Sequence, residues 1–373
     1  MKQRIPAACS RRSAPATPAG RAEGPRKVIV GTTIFPMFGG ARPWRSLEHR
    51  LGEIAGRVDE IAADARRRYG RGPDLAVFPE NAINRRGGEG TLLERAVALE
   101  GPVADVLGAK AREHRTWLIV GFNRRERERG RPPFVTNAAA LFDREGRVAG
   151  VYRKVFLSGN DPNSNRLEGG KRPGTEFPVF DTDFGRLGIL ICWDLGYDEV
   201  FEAFAAQGAE ILAWPTMSPQ TLAPRCYARR YSLYIVSATP RDNASIFDPL
   251  GGIAAMTVEP DGVVTHELDL DYRRLHWQPG LEGGAALRRA YGNRVGFRYS
   301  EREDHGLFWS NDPAWPIGKM IGALGFREEA EVRERSRRMR ERALAETAVP
   351  AAARRPAAGR VGRTRRQGKE RSP

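Results

Sequence analysis

Histidine and cysteine are scarce in this 373-residue chain, which has five of the first and three of the second. The cysteines, at positions 9, 192 and 226, have no metal-ligand spacing and cannot all pair with one another. A zinc module and a disulfide framework are thereby disfavoured, and a reducing, cytoplasmic compartment fits. No run approaches the roughly 20 apolar residues that cross a bilayer, so no membrane span is expected. Arg11 and Arg12 are not followed by the roughly 7–15 apolar residues of a signal peptide.

The body of the chain also lacks net charge. Residues 1–27 hold seven Lys/Arg against one Glu, and residues 331–373 hold fourteen against five. The whole excess of +15 therefore sits at the ends, and residues 28–330 carry 40 of each sign. A neutral body does not offer the broad basic face of a nucleic-acid-binding fold. The ends, residues 1–26 and 347–373, are rich in Ala, Pro, Gly and Arg and are expected to be disordered tails. Clustered arginines such as Arg360 to Arg371 would gain from counterion release on a polyanion, but a solvated, biased tail accounts for them more simply.

Between the tails, apolar periodicity predicts alternating strands and helices. KVIVGTTI (27–34) reads as a buried strand, and Leu47, Leu51, Ile54, Val58, Ile61 and Ala65 form one helical stripe. Strand 75–78, a helical stretch over 91–114 and strand 117–122 follow. Strands at 139–143 and 148–156 flank a hairpin turn at Arg144-Glu145-Gly146. A second unit has strand 187–192, a helix near 196–207, and strands 210–214 and 233–238. A hairpin over 253–270 is expected to turn at Pro260-Asp261-Gly262. No internal repeat is visible in the sequence. Residues 271–329 read as irregular, and 327–346 as an exposed helix. The pattern is that of an α/β layered domain with a mixed sheet.

The strongest local signal is GRLGILICWDLGYDEVFEAF (185–204), where a buried strand ends at Cys192 shortly before a helix. Such a turn can aim a thiol and several backbone N–H groups at one point. Taken alone, Cys192 reads more readily as a packed structural cysteine than as a nucleophile. None of the five histidines sits in a strand-end motif, so the usual activator of a cysteine is not indicated. Two other strand ends carry charge instead: Glu80 in LAVFPENA (75–82) and Lys154 in VYRKVFL (151–157). Buried charge is costly unless paired or functional. A glutamate base, a cysteine nucleophile and a lysine beside the developing oxyanion form a consistent set without histidine.

The segments FPE (78–80), YRKVFL (152–157) and GRLGILICWD (185–194) occur in that order. With the connecting EGGKRPGTEFPVFDTDFG (168–185) and with ASIFDPLGG (244–252), they resemble the signature regions of the nitrilase (carbon-nitrogen hydrolase) superfamily over residues 27–270. The resemblance implies a four-layer αββα sandwich with mixed sheets, paired across a homodimer or a higher homo-oligomer. It also implies Glu80, Lys154 and Cys192 as a catalytic triad and Glu168 as a second glutamate that orients the lysine. The backbone N–H of Trp193 would share the oxyanion with Lys154. The substrates would be a small amide and water, with no metal or organic cofactor. Residues 271–346 would form a C-terminal extension that caps the site or widens the dimer interface.

Some positions depart from that family. PRCYARRYSLYIVSATP (224–240) lacks the Glu-Asn pair many relatives carry there, so substrate preference does not transfer. WDLGYDEV, after Cys192, lacks the paired arginines of carbamoyl-amino-acid hydrolases, and Cys192-Trp193-Asp194 differs from the Cys-Trp-Glu of true nitrilases. A linear-amide hydrolase is expected. The alternatives are a nitrile or N-carbamoyl hydrolase with the same triad, or a hydrolase-fold protein that binds an acidic partner or nucleic acid through its tails. Trp193 and Trp214 suit either pocket walls or core, and Cys226 is expected to pack.

Overall fold

The structure, a computed structural model, describes residues 24–37, 44–84, 90–159 and 165–347. The remainder of the basic N-terminal tail, including Cys9, and the C-terminal segment with Arg360 to Arg371 lie outside the described residues. The chain divides into two units, Met1–Glu329 and Ala330–Pro373.

The first half of the larger unit contains β1 (Lys27–Thr33), α1 (Leu47–Tyr69), β2 (Leu75–Val77), α2 (Leu92–Arg95), α3 (Pro102–His114), β3 (Trp117–Glu126), β4 (Phe134–Phe142) and β5 (Val148–Arg153). The second contains β6 (Val179–Asp181), β7 (Arg186–Ile189), α4 (Asp198–Ala206), β8 (Ile211–Pro215), α5 (Leu222–Tyr231), β9 (Tyr234–Ala238), β10 (Ala244–Phe247), β11 (Ile253–Thr257) and β12 (Val263–Asp269). They build two six-stranded mixed sheets, ordered β12-β1-β2-β3-β4-β5 and β11-β10-β9-β8-β7-β6. From β12 to β5, and again from β6 to β11, successive pairs run antiparallel, parallel, parallel, antiparallel, antiparallel. The two sheets thus share one pattern of strand directions that no sequence repeat announces.

Because strand side chains alternate between faces, the apolar residues sort into three layers. Val30, Val77, Ile119 and Leu141 of the first sheet meet Leu187, Ile189, Ile211 and Val236 of the second in an inner layer. Ala76, Phe78, Leu118 and Val120 pack instead with Ile54, Val58 and Ile61 of α1 and with Leu107 and Ala111 of α3. Leu190, Leu212, Ile235 and Phe247 pack with Val200, Phe201 and Phe204 of α4 and Ala228 of α5. Each fully buried Val, Leu, Ile or Phe contributes about 1.5–3 kcal/mol, so these layers dominate cohesion. The result is the expected αββα order.

Residues 91–114 are not a single helix. The chain leaves α2 at Ala96, bridges Val97 to Arg124, and re-enters helix at Pro102 after Gly101 with φ 84°; the fixed φ of proline suits a first helical turn. Residues 253–270 turn as expected but form no hairpin, because β11 pairs with β10 and β12 with β1 in the other sheet. Alternation marks a strand without naming its partner. Residues 271–329, expected to be irregular, hold a three-stranded antiparallel sheet of β13 (Tyr272–His276), β14 (Val295–Ser300) and β15 (His305–Ser310), with α6 (Ala285–Tyr291) and α7 (Ile317–Ala323). Leu275, Leu287, Phe308 and Met320 form its core. In α8 (Glu329–Thr347), an exposed helix as expected, Glu334 pairs with Arg337 and Arg338.

Candidate active site

Glu80, Lys154, Glu168 and Cys192 come together beyond the strand ends of the two sheets. Glu80 lies just beyond β2, Lys154 directly after β5, Glu168 in the short turn Leu167–Gly169, and Cys192 just beyond β7. The ends of parallel strands are where an open α/β sheet exposes its crevices.

Close backbone crossings place the two charged strand ends. A Cβ on Gly121 of β3 would lie 2.5 Å from Pro79 O and 2.8 Å from Glu80 Cα, so only glycine lets the loop after β2 fold across β3. A Cβ on Gly174 would collide with Arg153 O, and Gly174 N donates to Lys154 O at 2.8 Å.

Lys154 is 2% exposed, and its Nζ donates to Glu168 Oε1 at 2.6 Å and to Glu80 Oε1 at 3.1 Å. Burial opposes its charge, but Glu80, Cys192 and Glu168 outweigh burial and raise its pKa. Glu168 Oε1 also accepts from Ser158 N at 3.2 Å. Its Oε2 accepts from Asn137 Nδ2 at 2.9 Å and from Lys171 Nζ at 3.0 Å. Burial alone would lift the Glu168 carboxyl; Lys154, Lys171 and the hydrogen bonds hold it down at about 2. Asn137 Nδ2 donates to Glu80 Oε1 as well, at 2.7 Å. Glu80 Oε2 is buried and outside any complete hydrogen bond.

Cys192 has φ +47°, a left-handed conformation that costs a non-glycine residue about 1–2 kcal/mol. Asp194, fully buried, braces this turn. Its Oδ2 accepts from Ile191 N at 2.8 Å and Tyr152 Oη at 2.7 Å, and its Oδ1 accepts from Phe156 N at 2.8 Å. One carboxylate therefore ties the cysteine turn to the segment after Lys154. Burial lifts the Asp194 carboxyl to about 6 against those donors. Trp214 Nε1 donates to Cys192 O at 3.2 Å.

The Cys192 thiol is pushed up to about 12, first by burial and then by the charge of Glu80, which also hydrogen-bonds it weakly. Lys154 and the backbone N–H of Met217, just beyond β8, act in the opposite direction. The resting group is a neutral thiol beside a carboxylate with one open oxygen and a fixed ammonium. Such a set can pass a proton from sulfur to carboxylate during attack on a carbonyl and hold the resulting oxyanion.

Trp193, the fifth residue singled out, is 42% exposed, whereas Trp214 is 1% exposed and belongs to the core. Cys226 is exposed on α5, so the expectation that it packs is corrected: the apolar side of that helix falls on Pro224 and Ala228. Asn137, Lys171, Asp194 and the Met217 N–H were not anticipated. An isolated amide inside the apolar run FVTNAAALF was the available signal for Asn137; a backbone N–H has none. The histidines lie on α1 (His49), α3 (His114), β12 (His266), β13 (His276) and β15 (His305). Among the described residues, Asp59, Glu113 and His114 form the one grouping with metal-ligand spacing. Lys110 Nζ lies 2.8 Å from Asp59 and 2.9 Å from Glu113, so an ammonium already balances those carboxylates.

The sequence pattern of the carbon-nitrogen hydrolases matches residues 42–276. The chain belongs to that family, within the nitrilase superfamily. This carbon-nitrogen hydrolase is 27% identical over 242 residues to a probable nitrilase of Schizosaccharomyces pombe, covering 60% of this chain and 84% of the relative. It is 27% identical over 222 residues to an omega-amidase of Xenopus laevis, covering 54% of this chain and 79% of the other. Its fold is similar to that of Saccharomyces cerevisiae Nit3, with TM-score 0.53 at 20% identity over 71% of this chain and 94% of that one. An amidase from Nesterenkonia sp. superposes with TM-score 0.52 at 20% identity, over 67% and 92%. No helix among the described residues is long and apolar enough to cross a membrane.

Proposed function

We propose that this carbon-nitrogen hydrolase cleaves a small linear amide through a thioester on Cys192. Glu80 takes the thiol proton as sulfur attacks the amide carbon. The carbonyl electron pair moves onto oxygen, where Lys154 Nζ and the Trp193 N–H hold it. The tetrahedral species collapses, and ammonia or an amine leaves with the proton from Glu80. Water then gives its proton to Glu80 and adds to the thioester. Collapse releases the acid and returns the proton to sulfur. A positioned base contributes about 10²–10⁴-fold and an oxyanion donor about 10²–10³-fold. Burial and the charge of Glu80 push the resting thiol up, so attack is coupled to proton transfer. Glu168 positions Lys154 through the 2.6 Å contact.

One observation carries this reading: Lys154 and Asn137 occupy Glu80 Oε1, while Oε2 stays unfilled beside a thiol that Glu80 influences. An amide is preferred to a nitrile because several relatives are amidases, among them a deaminated glutathione amidase of Yersinia enterocolitica, 31% identical over 150 residues, 39% of this chain and 51% of that one. The same triad would serve a nitrile or an N-carbamoyl compound. A homodimer or higher homo-oligomer in the cytoplasm accompanies the reading.

The test is ammonia release by wild type and Cys192→Ala over short aliphatic amides, ω-amides, N-carbamoyl amino acids and nitriles. Activity on an amide that the substitution abolishes is expected. Activity that survives in Cys192→Ala refutes the nucleophile, and turnover confined to nitriles or N-carbamoyl compounds refutes the amidase assignment.

A further inference from the structure

Asn137 sits on β4 and is 1% exposed, with Val135 and Ala138 through Phe142 as apolar neighbours in the strand. Its Nδ2 divides two donors between two carboxylates, Glu80 Oε1 at 2.7 Å and Glu168 Oε2 at 2.9 Å. Its Oδ1 is buried and accepts no hydrogen bond from the described residues. The unpaired carbonyl is a cost, offset by the bonds that Nδ2 makes to the two carboxylates, so the reason for an amide here lies with Glu80 and Glu168.

The two carboxylates are occupied very differently. Each carboxylate oxygen takes about two donors. Glu168 has Lys154 and Ser158 N on Oε1 and Asn137 and Lys171 on Oε2, which fills it. It has no lone pair left for a proton from substrate or water. Glu80 has Lys154 and Asn137 on Oε1, whereas Oε2 accepts no full hydrogen bond from the described residues. Without the amide, two like charges would face one another across Lys154, and nothing would decide which Glu80 oxygen turned to the lysine.

We propose that Asn137 is a positioning residue of the reaction, whose side-chain amide clamps Glu80 to Glu168 and so keeps one Glu80 oxygen open toward Cys192. The inference rests on the reading of Glu80 as the base. Asn137 acts through Glu80 and touches neither thiol nor substrate. Glu168, saturated, serves as the anchor of the clamp.

Iodoacetamide labelling of Cys192 tests this without a known substrate. The sulfur forms a C–S bond as iodide leaves, and the thiol proton passes to Glu80 and then to solvent. The full chain is used, with peptide mapping to separate Cys192 from Cys9 and Cys226. Labelling rates are measured from about pH 6 to about pH 9 for wild type, Glu80→Gln, Asn137→Leu and Asn137→Ser, where thiolate formation limits the rate. Glu80→Gln is expected to slow labelling about 100-fold near neutral pH. Both Asn137 variants are expected to slow it about tenfold or more with a displaced pH profile. The serine variant, which cannot bridge two carboxylates with one hydroxyl, decides the matter should the leucine variant not fold. Wild-type rates and profiles in the Asn137 variants, with Glu80→Gln still slow, overturn the clamp and leave the base standing. A wild-type rate in Glu80→Gln overturns the base and the clamp together.

Discussion

Replacing Glu168 with glutamine is expected to cost the fold about 3 kcal/mol at about pH 7 and about half as much at about pH 3. The figure follows from the descent of the carboxyl from 4.5 to about 2, at about 1.4 kcal/mol per unit. The side chain is only 13% exposed, so solvent screens these contacts little. Lys154 is raised by the same contacts and adds nothing further. The folded chain binds the Glu168 proton more weakly than the unfolded chain does. The stabilisation is therefore complete above 4.5 and disappears as pH falls through about 2. Urea unfolding of wild type and Glu168→Gln at steps from about pH 7 to about pH 3 measures the gap. A gap that stays constant with pH, or that falls below about 1 kcal/mol at neutrality, refutes the reasoning.

Two further substitutions probe how the reacting groups are placed. Gly121→Ala brings a methyl to 2.5 Å from Pro79 O and 2.8 Å from Glu80 Cα; a destabilisation of about 1–3 kcal/mol and a fall in kcat of at least about tenfold with little change in KM are expected in urea unfolding and ammonia-release assays. Cys192→Gly relieves the φ of +47°; it is expected to be inactive yet more stable than Cys192→Ala by about 1 kcal/mol in thermal unfolding.

Much of this arrangement was legible in the residues. The 3–4 spacing of Leu47 to Ala65 is α1, Gly146 turns the β4–β5 hairpin with φ 81°, and three strand ends mark Glu80, Lys154 and Cys192. The rest depended on three-dimensional pairing. Nothing in the alternation of residues 253–270 tells β12 to join β1 rather than β11. Asn137 reads like any satisfied core amide until the carboxylates on either side are seen. The left-handed turn at Cys192 is a property of backbone held by Asp194 and Trp214, residues that a motif reading treats as spacing.

The matched topology of the two sheets divides the chemistry between them. Glu80, Asn137 and Lys154 are carried by the first sheet, and Cys192 and the Met217 N–H by the second. The proposed base and nucleophile therefore stand on opposite slabs, and the apolar layer containing Ile119, Leu141, Ile189 and Val236 is the spacer that fixes the gap between them. Turnover in this enzyme is thus a gauge of slab separation. Trimming a methylene from that spacer should slow the reaction by more than its cost to the fold of about 0.5–1.5 kcal/mol would suggest, since proton transfer and attack tolerate little misplacement.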